Sequence, residues 1–277
     1  MNILIMKKGA ANMVRKIALD EEKKLEYEIL KDVVSFCEKQ GIRYYLADGT
    51  LIGAIRHQGF IPWDDDIDIE MPRPDFERFA LLYNSQNSNK DYHFLYPTDP
   101  VSIYSFGKII DTRTVKKELG NSDECDTTGV DIDIFPIDGA AEEYANYNKQ
   151  RKKIHQLYKI HRILSSGQNK SIPHKIRHKM YSMLFNKEKC LNKAIELAKS
   201  NSFDSSKYIA RYGIYSLGYR VERKCYDNVV STKFEDDFFN IPIGYDTILR
   251  LQYGDYMLMP PLEHQVTHHK NNVYWRI

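Results

Sequence analysis

The sequence has few of the features that mark membrane or disulfide-stabilised proteins. No apolar run approaches the roughly 20 residues that a membrane-spanning helix needs. The segment 1–8 places its apolar residues before its lysines, which is the reverse of the order in a secretory signal. The four cysteines form no Cys-x-x-Cys pair, so we expect buried, reduced thiols. Together these absences predict a cytoplasmic protein.

Net charge is also nearly absent, at +2 for 277 residues, but the charges are segregated along the chain. Segment 149–193 contains 13 Lys or Arg and one acid, Glu188. Segment 118–143 contains nine acids and no base. This separation predicts two surfaces with different partners.

The order of hydrophobic patterns predicts an α+β fold. Period-2 and period-3.6 patterns alternate in the first half, and helical patterns dominate after residue 141. Helices are predicted over 19–39, 51–56, 74–84, 142–164, 174–199 and 246–252, and strands over 44–47, 66–71, 92–96, 102–111 and 129–138. We expect a mixed or antiparallel sheet core followed by a helical segment, with a hinge at 165–173.

The most informative segment is 59–70, which ends in alternating acidic and apolar residues. In a strand, Asp66, Asp68 and Glu70 share one face while the isoleucines between them face the core. Three acids on one face repel one another, and a divalent cation removes that cost. Carboxylates at this spacing suit Mg²⁺ or Mn²⁺, with phosphate oxygens completing the coordination.

A second segment, 130–136, repeats the pattern and places Asp131 and Asp133 on one face. If its strand lies beside the first acidic strand, three or more carboxylates converge. That arrangement is the one that two-metal phosphoryl chemistry requires.

Two other interpretations of the acids are weaker. Edge strands with solvated acidic faces are one, but acids are poor strand formers and here two segments share the pattern. A calcium loop is the other, with Asp64, Asp66 and Asp68 at its first, third and fifth positions. Such a loop requires glycine at its sixth position and glutamate at its twelfth, but this sequence has Ile69 and Asp75 there.

These motifs resemble the LicD family, a branch of the polymerase-β-like nucleotidyltransferase fold that includes the fukutin-related proteins. The resemblance rests on segments 48–57, 59–68, 133–138, 253–256 and 260–261. It implies a glycine-threonine turn at Gly49 and Thr50, a metal-binding pair at Asp66 and Asp68, and a third catalytic acid at Asp133. Relatives often carry a large apolar residue at the position of Asp131.

The resemblance also implies an activity. Typical members transfer phosphocholine from CDP-choline to a sugar hydroxyl of a cell-surface glycan precursor, of the teichoic acid or lipopolysaccharide type and often lipid-linked. Another CDP-linked donor, such as CDP-ribitol, and a non-catalytic nucleotide- or metal-binding regulator are the alternatives. Nucleic acid is not expected as a partner, because the basic segment lacks glycine-rich and aromatic single-strand signatures.

Further side chains are candidates for substrate binding. The amides of Gly49 and Thr50 suit phosphate, although a plain turn is the simpler interpretation of each. Arg56 and Lys108 suit phosphate as well, or form surface salt bridges. Trp63 suits a base or a quaternary ammonium, or packs in the core. The remaining candidates are Asp131, expected to contact substrate, and His264, His268 and His269, expected to form a solvated or phosphate-contacting tail.

The expected organisation is a catalytic core at 1–140, a basic helical segment at 141–201, and a part at 202–277 that completes the active-site domain. Basic residues near an anionic membrane attract it, so the helical segment is a candidate contact for the inner membrane face and a lipid-linked acceptor. Arg151, Lys152 and Lys153 lie in its first helix. The alternative is two solvated helix faces.

Overall fold

The computed structural model of the chain describes residues 13–118, 128–165, 172–213, 218–267 and 271–276. Its helices are α1 (Leu19–Gln40), α2 (Asp48–Arg56), α3 (Arg73–Gln86), α4 (Tyr144–Ser165), α5 (Ile172–Leu184), α6 (Lys187–Ala198) and α7 (Tyr245–Tyr253). Its strands are β1 (Met13–Ile17), β2 (Tyr45–Leu46), β3 (Asp68–Pro72), β4 (Tyr92–Leu95), β5 (Gly107–Asp111), β6 (Thr114–Glu118), β7 (Asp131–Ala140), β8 (Tyr208–Arg211), β9 (Tyr219–Glu222), β10 (Val229–Phe234), β11 (Asp237–Pro242) and β12 (Asn271–Arg276).

The central sheet has the order β2-β3-β7-β5-β4, and β8 and β9 continue it from the second half of β7. β3 and β7 run parallel, with Asp68 opposite Asp133, and the other pairings in this sheet are antiparallel. Ile67, Ile69 and Met71 are fully buried, as their alternation predicts. The predicted α+β class with a mixed sheet is therefore confirmed.

Helix α1 covers this sheet with the apolar stripe that its sequence predicts. Ile29, Val33 and Phe36 are buried against the main core. The helix ends at Gly41, which adopts φ +61° and donates its amide to backbone carbonyls of the last turn. Glycine suits this left-handed position because it carries no Cβ.

Several elements differ from their predicted bounds. The 102–111 strand is regular only from Gly107. The predicted 174–199 helix is two helices, α5 and α6, because Asn186 accepts a hydrogen bond from the Lys189 amide at 2.8 Å and caps α6. The predicted hinge lies mostly outside the described residues.

The C-terminal part returns to the first half of the chain. β12 pairs with both β1 and β6, and β10–β11 form a hairpin beside β2. Among the helices that the structure describes, none is long and apolar enough to cross a bilayer. Cys37, Cys190 and Cys225 are free and buried, as expected, and Cys125 lies outside the described residues.

Candidate active site

A cavity of about 280 Å³ lies where β3 begins beside β7. Its walls carry the carboxylates of Asp48, Asp66, Asp68 and Asp133. The Asp133 amide donates to the Ile67 carbonyl at 2.9 Å, which continues the parallel pairing up to the acidic turn. The two acidic strands therefore lie side by side, which is the condition for their carboxylates to converge.

These carboxylates repel one another in a buried setting. Burial, with the charges of Asp66, Asp48 and Asp133, raises the pKa of Asp68 well above its ordinary value. Burial raises the pKa of Asp133 to about 6, even though the Lys108 ammonium opposes the shift. Carboxylate oxygens converging in this way are the donor set that Mg²⁺ and Mn²⁺ prefer, so the residues present fit such an ion.

The turn before β3 adds two acids that the sequence analysis did not assign as ligands. Oxygen atoms of Asp64, Asp65 and Asp66 all lie within 4.8 Å of one another. Burial, and then the charge of Asp66, raises the pKa of Asp64 to about 7. Asp66 belongs both to this group and to the cavity wall, so it joins the two sets. In the sequence, the unbroken run of three aspartates is the feature that could have indicated these two additional acids.

Gly49 and Thr50 occupy the first turn of α2, which begins at Asp48, three residues earlier than predicted. A Cβ on Gly49 would lie 2.3 Å from Oδ2 of Asp64, so only glycine leaves room for that carboxylate. The Thr50 hydroxyl accepts a hydrogen bond from the Asp68 amide at 2.9 Å and so fixes the start of β3. Contact of either residue with phosphate stays a prediction.

Arg211 is a residue of this site that sequence reasoning missed. Its guanidinium binds both carboxylate oxygens of Asp48, at 2.7 and 2.6 Å, and lies 4.6 Å from the centre of the Phe135 ring. It comes from β8, about 160 residues after Asp48. No local motif surrounds it, so only the fold shows its position.

Asp131 and Lys108 form a buried ion cluster beside the cavity. The Lys108 ammonium binds both Asp131 and Asp133, and Lys116 lies 3.0 Å from Asp131. Burial alone would raise the pKa of Asp131, but the two ammonium groups outweigh it and lower the pKa to about 2. The predicted substrate contacts of Asp131 and Lys108 would therefore compete with these ion pairs.

Arg56 and Trp63 are not among the residues that line the cavity. The Arg56 guanidinium donates to the backbone carbonyls of Tyr256 at 2.6 Å and Leu258 at 3.2 Å. Trp63 packs edge-on to His57 and against the main core, which matches its core-packing interpretation. Their contact with substrate stays a prediction.

Glu70 is not among the residues that line the cavity, although its strand position predicts that it shares a face with the aspartates. It is 1% exposed. The hydroxyl of Tyr219 donates to it at 2.7 Å, and that of Tyr226 binds its other oxygen. Among the predicted tail histidines, His264 is exposed, and His268 and His269 lie outside the described residues.

A second cavity, of about 1,140 Å³, adjoins the first at Arg211, which lines both. Tyrosines and arginines dominate its wall. The residues that line this wall include Tyr144, Tyr147, Tyr208, Arg151, Arg220 and Arg250. Arg220 lies 4.0 Å from the centre of the Tyr208 ring and donates to the Ala141 carbonyl at 2.7 Å. We call this the tyrosine-arginine groove.

The fold and the acidic cavity together define a nucleotidyltransferase-like protein. Residues 41–189 match the family described as LicD/FKTN/FKRP, nucleotidyltransferase domain. The chain is 31% identical to the lipopolysaccharide cholinephosphotransferase LicD of Haemophilus influenzae, over 94% of this chain and 99% of that protein. The chain belongs to the LicD/FKTN/FKRP family.

Two shorter similarities accompany this match. An uncharacterized protein of Rickettsia typhi is 43% identical over 70 residues, which are 25% of this chain and 23% of that protein. The human ribitol 5-phosphate transferase FKRP is 48% identical over 42 residues, which are 15% of this chain and 8% of that protein.

Proposed function

We propose that this protein transfers phosphocholine from CDP-choline to a sugar hydroxyl of a cell-surface glycan precursor of the lipopolysaccharide or teichoic acid type. The observation that carries the proposal is the convergence of Asp66, Asp68 and Asp133 on one cavity in a chain that aligns along nearly its whole length with a cholinephosphotransferase. The reaction is proposed to take place at the cytoplasmic face of the membrane.

Asp66, Asp68 and Asp133 would hold Mg²⁺ or Mn²⁺, with Asp64 within reach of the same cluster. When bound, the ion would neutralise the carboxylates, polarise the donor phosphate and lower the pKa of the acceptor hydroxyl. Burial, and then the repulsion between neighbouring carboxylates, raises the pKa of Asp68, and such an ion would relieve that repulsion.

The transfer forms one bond and breaks one. The acceptor oxygen attacks the phosphorus that bears choline, and the bond from that phosphorus to the CMP oxygen breaks. The hydroxyl proton passes to a carboxylate, for which Asp133 is the candidate. Arg211 and Lys108 supply fixed positive charge beside the transferring phosphoryl group, where positioning and charge stabilisation provide most of the catalysis.

The tyrosine-arginine groove is the proposed acceptor site. It opens beside Arg211, so an acceptor lying in it would reach the aspartate cavity. Tyrosine rings suit sugar faces, and arginines suit phosphate groups on a glycan precursor. Arg151, predicted to face a membrane, is half-buried on this groove, while Lys152 and Lys153 are exposed.

One of the two alternatives has specific support. The match to ribitol 5-phosphate transferase favours CDP-ribitol as donor. A non-catalytic metal- or nucleotide-binding regulator is the other alternative, but it gives no reason to retain mutually repelling carboxylates.

The decisive experiment incubates the purified protein with Mg²⁺, a short soluble glycan acceptor, and either CDP-choline or CDP-ribitol. We expect CMP release and a phosphocholine-bearing product, detected by mass spectrometry, with CDP-choline. EDTA should abolish turnover, excess Mg²⁺ should restore it, and Mn²⁺ should substitute at least in part.

The matched control is Asp68→Asn, which should release no CMP while keeping the native circular dichroism spectrum. Faster turnover of CDP-ribitol than of CDP-choline would identify CDP-ribitol as the donor. Full turnover in EDTA would exclude the metal role, and metal binding without turnover of either donor would favour the regulator.

A further inference from the structure

Helix α5 exposes large apolar side chains that nothing in the described chain covers. Ile176 is 66% exposed, Met180 49%, Met183 73% and Leu184 67%. None of the described side chains of α5 is buried. Water-exposed residues of this size are unfavourable, and a cluster of them marks an interaction surface.

These four residues form a single stripe along the helix. Their spacing of i, i+4, i+7 and i+8 places them on one face of an α-helix. His178 and Tyr181, which are half-buried, point away from that stripe and toward the rest of the molecule. The apolar face of α5 therefore points into solvent.

Positive charge borders the stripe. Lys175 and Lys179 lie along one side of it and Arg177 along the other, and all three are exposed. The helix contains no acidic residue. An apolar face framed by basic residues matches an anionic lipid surface, where the apolar side chains enter the acyl boundary and the ammonium groups remain at the headgroups.

We propose that α5 is an interfacial anchor that lies in the surface of an anionic bilayer. A second copy of this chain is a poorer occupant, because pairing two α5 faces would bring their basic borders together. This inference goes beyond the transfer reaction and does not depend on it. It concerns the apolar face of one helix, whereas the membrane contact expected from the sequence rested on basic charge along 149–193.

The test measures binding of the full chain to sedimented phosphatidylcholine vesicles, with and without phosphatidylglycerol, at low and high salt. Ile176→Ser/Met183→Ser/Leu184→Ser should weaken binding to anionic vesicles at least tenfold. Lys175→Gln/Arg177→Gln/Lys179→Gln should weaken binding and reduce its dependence on salt. Binding by the unmodified protein should be at least tenfold tighter with phosphatidylglycerol.

Leu81→Ser/Phe238→Ser is the matched control, because these side chains are 77% and 67% exposed on other elements. It should bind vesicles as the unmodified protein does, and circular dichroism should show that every variant is folded. Unchanged binding by the triple-serine variant, or equal binding to neutral and anionic vesicles, would overturn the proposal. The proposal would also be overturned if light scattering showed a dimer and the triple-serine change dissociated that dimer without affecting lipid binding.

Discussion

Asp68 and Asp131 carry the same side chain in opposite electrostatic surroundings. Asp68 faces other carboxylates, while Asp131 lies between the ammonium groups of Lys108 and Lys116. A neutral isostere therefore relieves repulsion at the first position. At the second it leaves Lys108 with only Asp133, and Lys116 with only Glu22 at 3.5 Å, as anionic partners among the described residues.

We predict that Asp68→Asn leaves the free energy of unfolding in EDTA unchanged or higher, whereas Asp131→Asn lowers it. Removing one partner of a buried ion pair costs about 3–5 kcal/mol. Urea unfolding of both variants checks this. An unchanged free energy of unfolding for Asp131→Asn would show that the ion cluster around Asp131 does not support the fold. Loss of transfer in that variant at full stability would assign Asp131 a direct role.

Gly49→Ala tests whether Asp64 belongs to the metal site. The new methyl group would displace the Asp64 carboxylate, which lies 2.3 Å from its position. We expect Mg²⁺ affinity, measured by calorimetry, to fall about tenfold, or about 1.4 kcal/mol. Thermal stability should not fall, because alanine favours a helix over glycine by up to about 1 kcal/mol.

A double-mutant cycle supplies the control for this prediction. If Gly49→Ala acts through Asp64, adding it to Asp64→Asn should weaken Mg²⁺ binding no further. Additive losses would place the effect of the methyl group elsewhere in the turn.

The site residues differ in how far sequence alone predicts them. Asp66, Asp68 and Asp133 are predictable because acids that repeat along one strand face repel one another and need compensating partners. The same patterns also include Glu70 and Asp131, which tyrosines and lysines bind instead. Arg211 is not, since a single arginine beside a tyrosine carries no pattern and its partner Asp48 is distant in sequence. Residue type likewise left open whether Lys108 binds phosphate or an aspartate, a choice that depends on how far β5 lies from β7.

At the scale of elements, α4 and α6 pack together through a buried histidine. His161 is 3% exposed, and its Nδ1 lies 3.2 Å from the Lys187 carbonyl. Its Nε2 lies 3.4 Å from the Ser165 hydroxyl. Burial lowers the pKa of His161, although the hydrogen bond with the Lys187 carbonyl opposes this shift.

We predict that acid weakens this helix pair through His161. A histidine whose pKa is lower folded than unfolded contributes stability above its unfolded pKa of about 6.5, and that contribution is lost as pH falls. His161→Asn keeps a donor for the Lys187 carbonyl but cannot titrate. Urea unfolding at pH 7.5 and 5.5 measures the free energy of unfolding. Between these two pH values it should fall further for the unmodified protein than for His161→Asn. Parallel losses would mean that His161 does not control the response.

Element types were predictable where one pattern persists and failed where a local contact interrupts it. Helix α1 has an uninterrupted apolar stripe, and its predicted bounds agree within one residue. The α5–α6 break depends on one side-chain cap at Asn186, which a 26-residue helical pattern conceals. The predicted acidic strand was expected to begin at residue 66, but β3 begins at Asp68, and oxygens of Asp64, Asp65 and Asp66 converge just before it.

At the scale of the whole molecule, the expected division into parts 1–140, 141–201 and 202–277 stays a prediction. The structure shows how the last part reaches the first. β8 and β9 extend the sheet from β7, β12 pairs with β1 and β6, and Arg211 supplies charge to the aspartate cavity. Long-range pairings of this kind leave little trace in a single sequence, because each strand's pattern is compatible with many partners.

Strand β7 has a consequence for any attempt to shorten the protein. Its first half holds Asp133 between β3 and β5, while Asp138, Gly139 and Ala140 pair with β8. A chain ending near residue 201 would leave those three residues as an unprotected sheet edge, open to pairing with other molecules. Asp133 and the strand pairing of the C-terminal part thus depend on the same strand, and we expect a minimal folded fragment to include both.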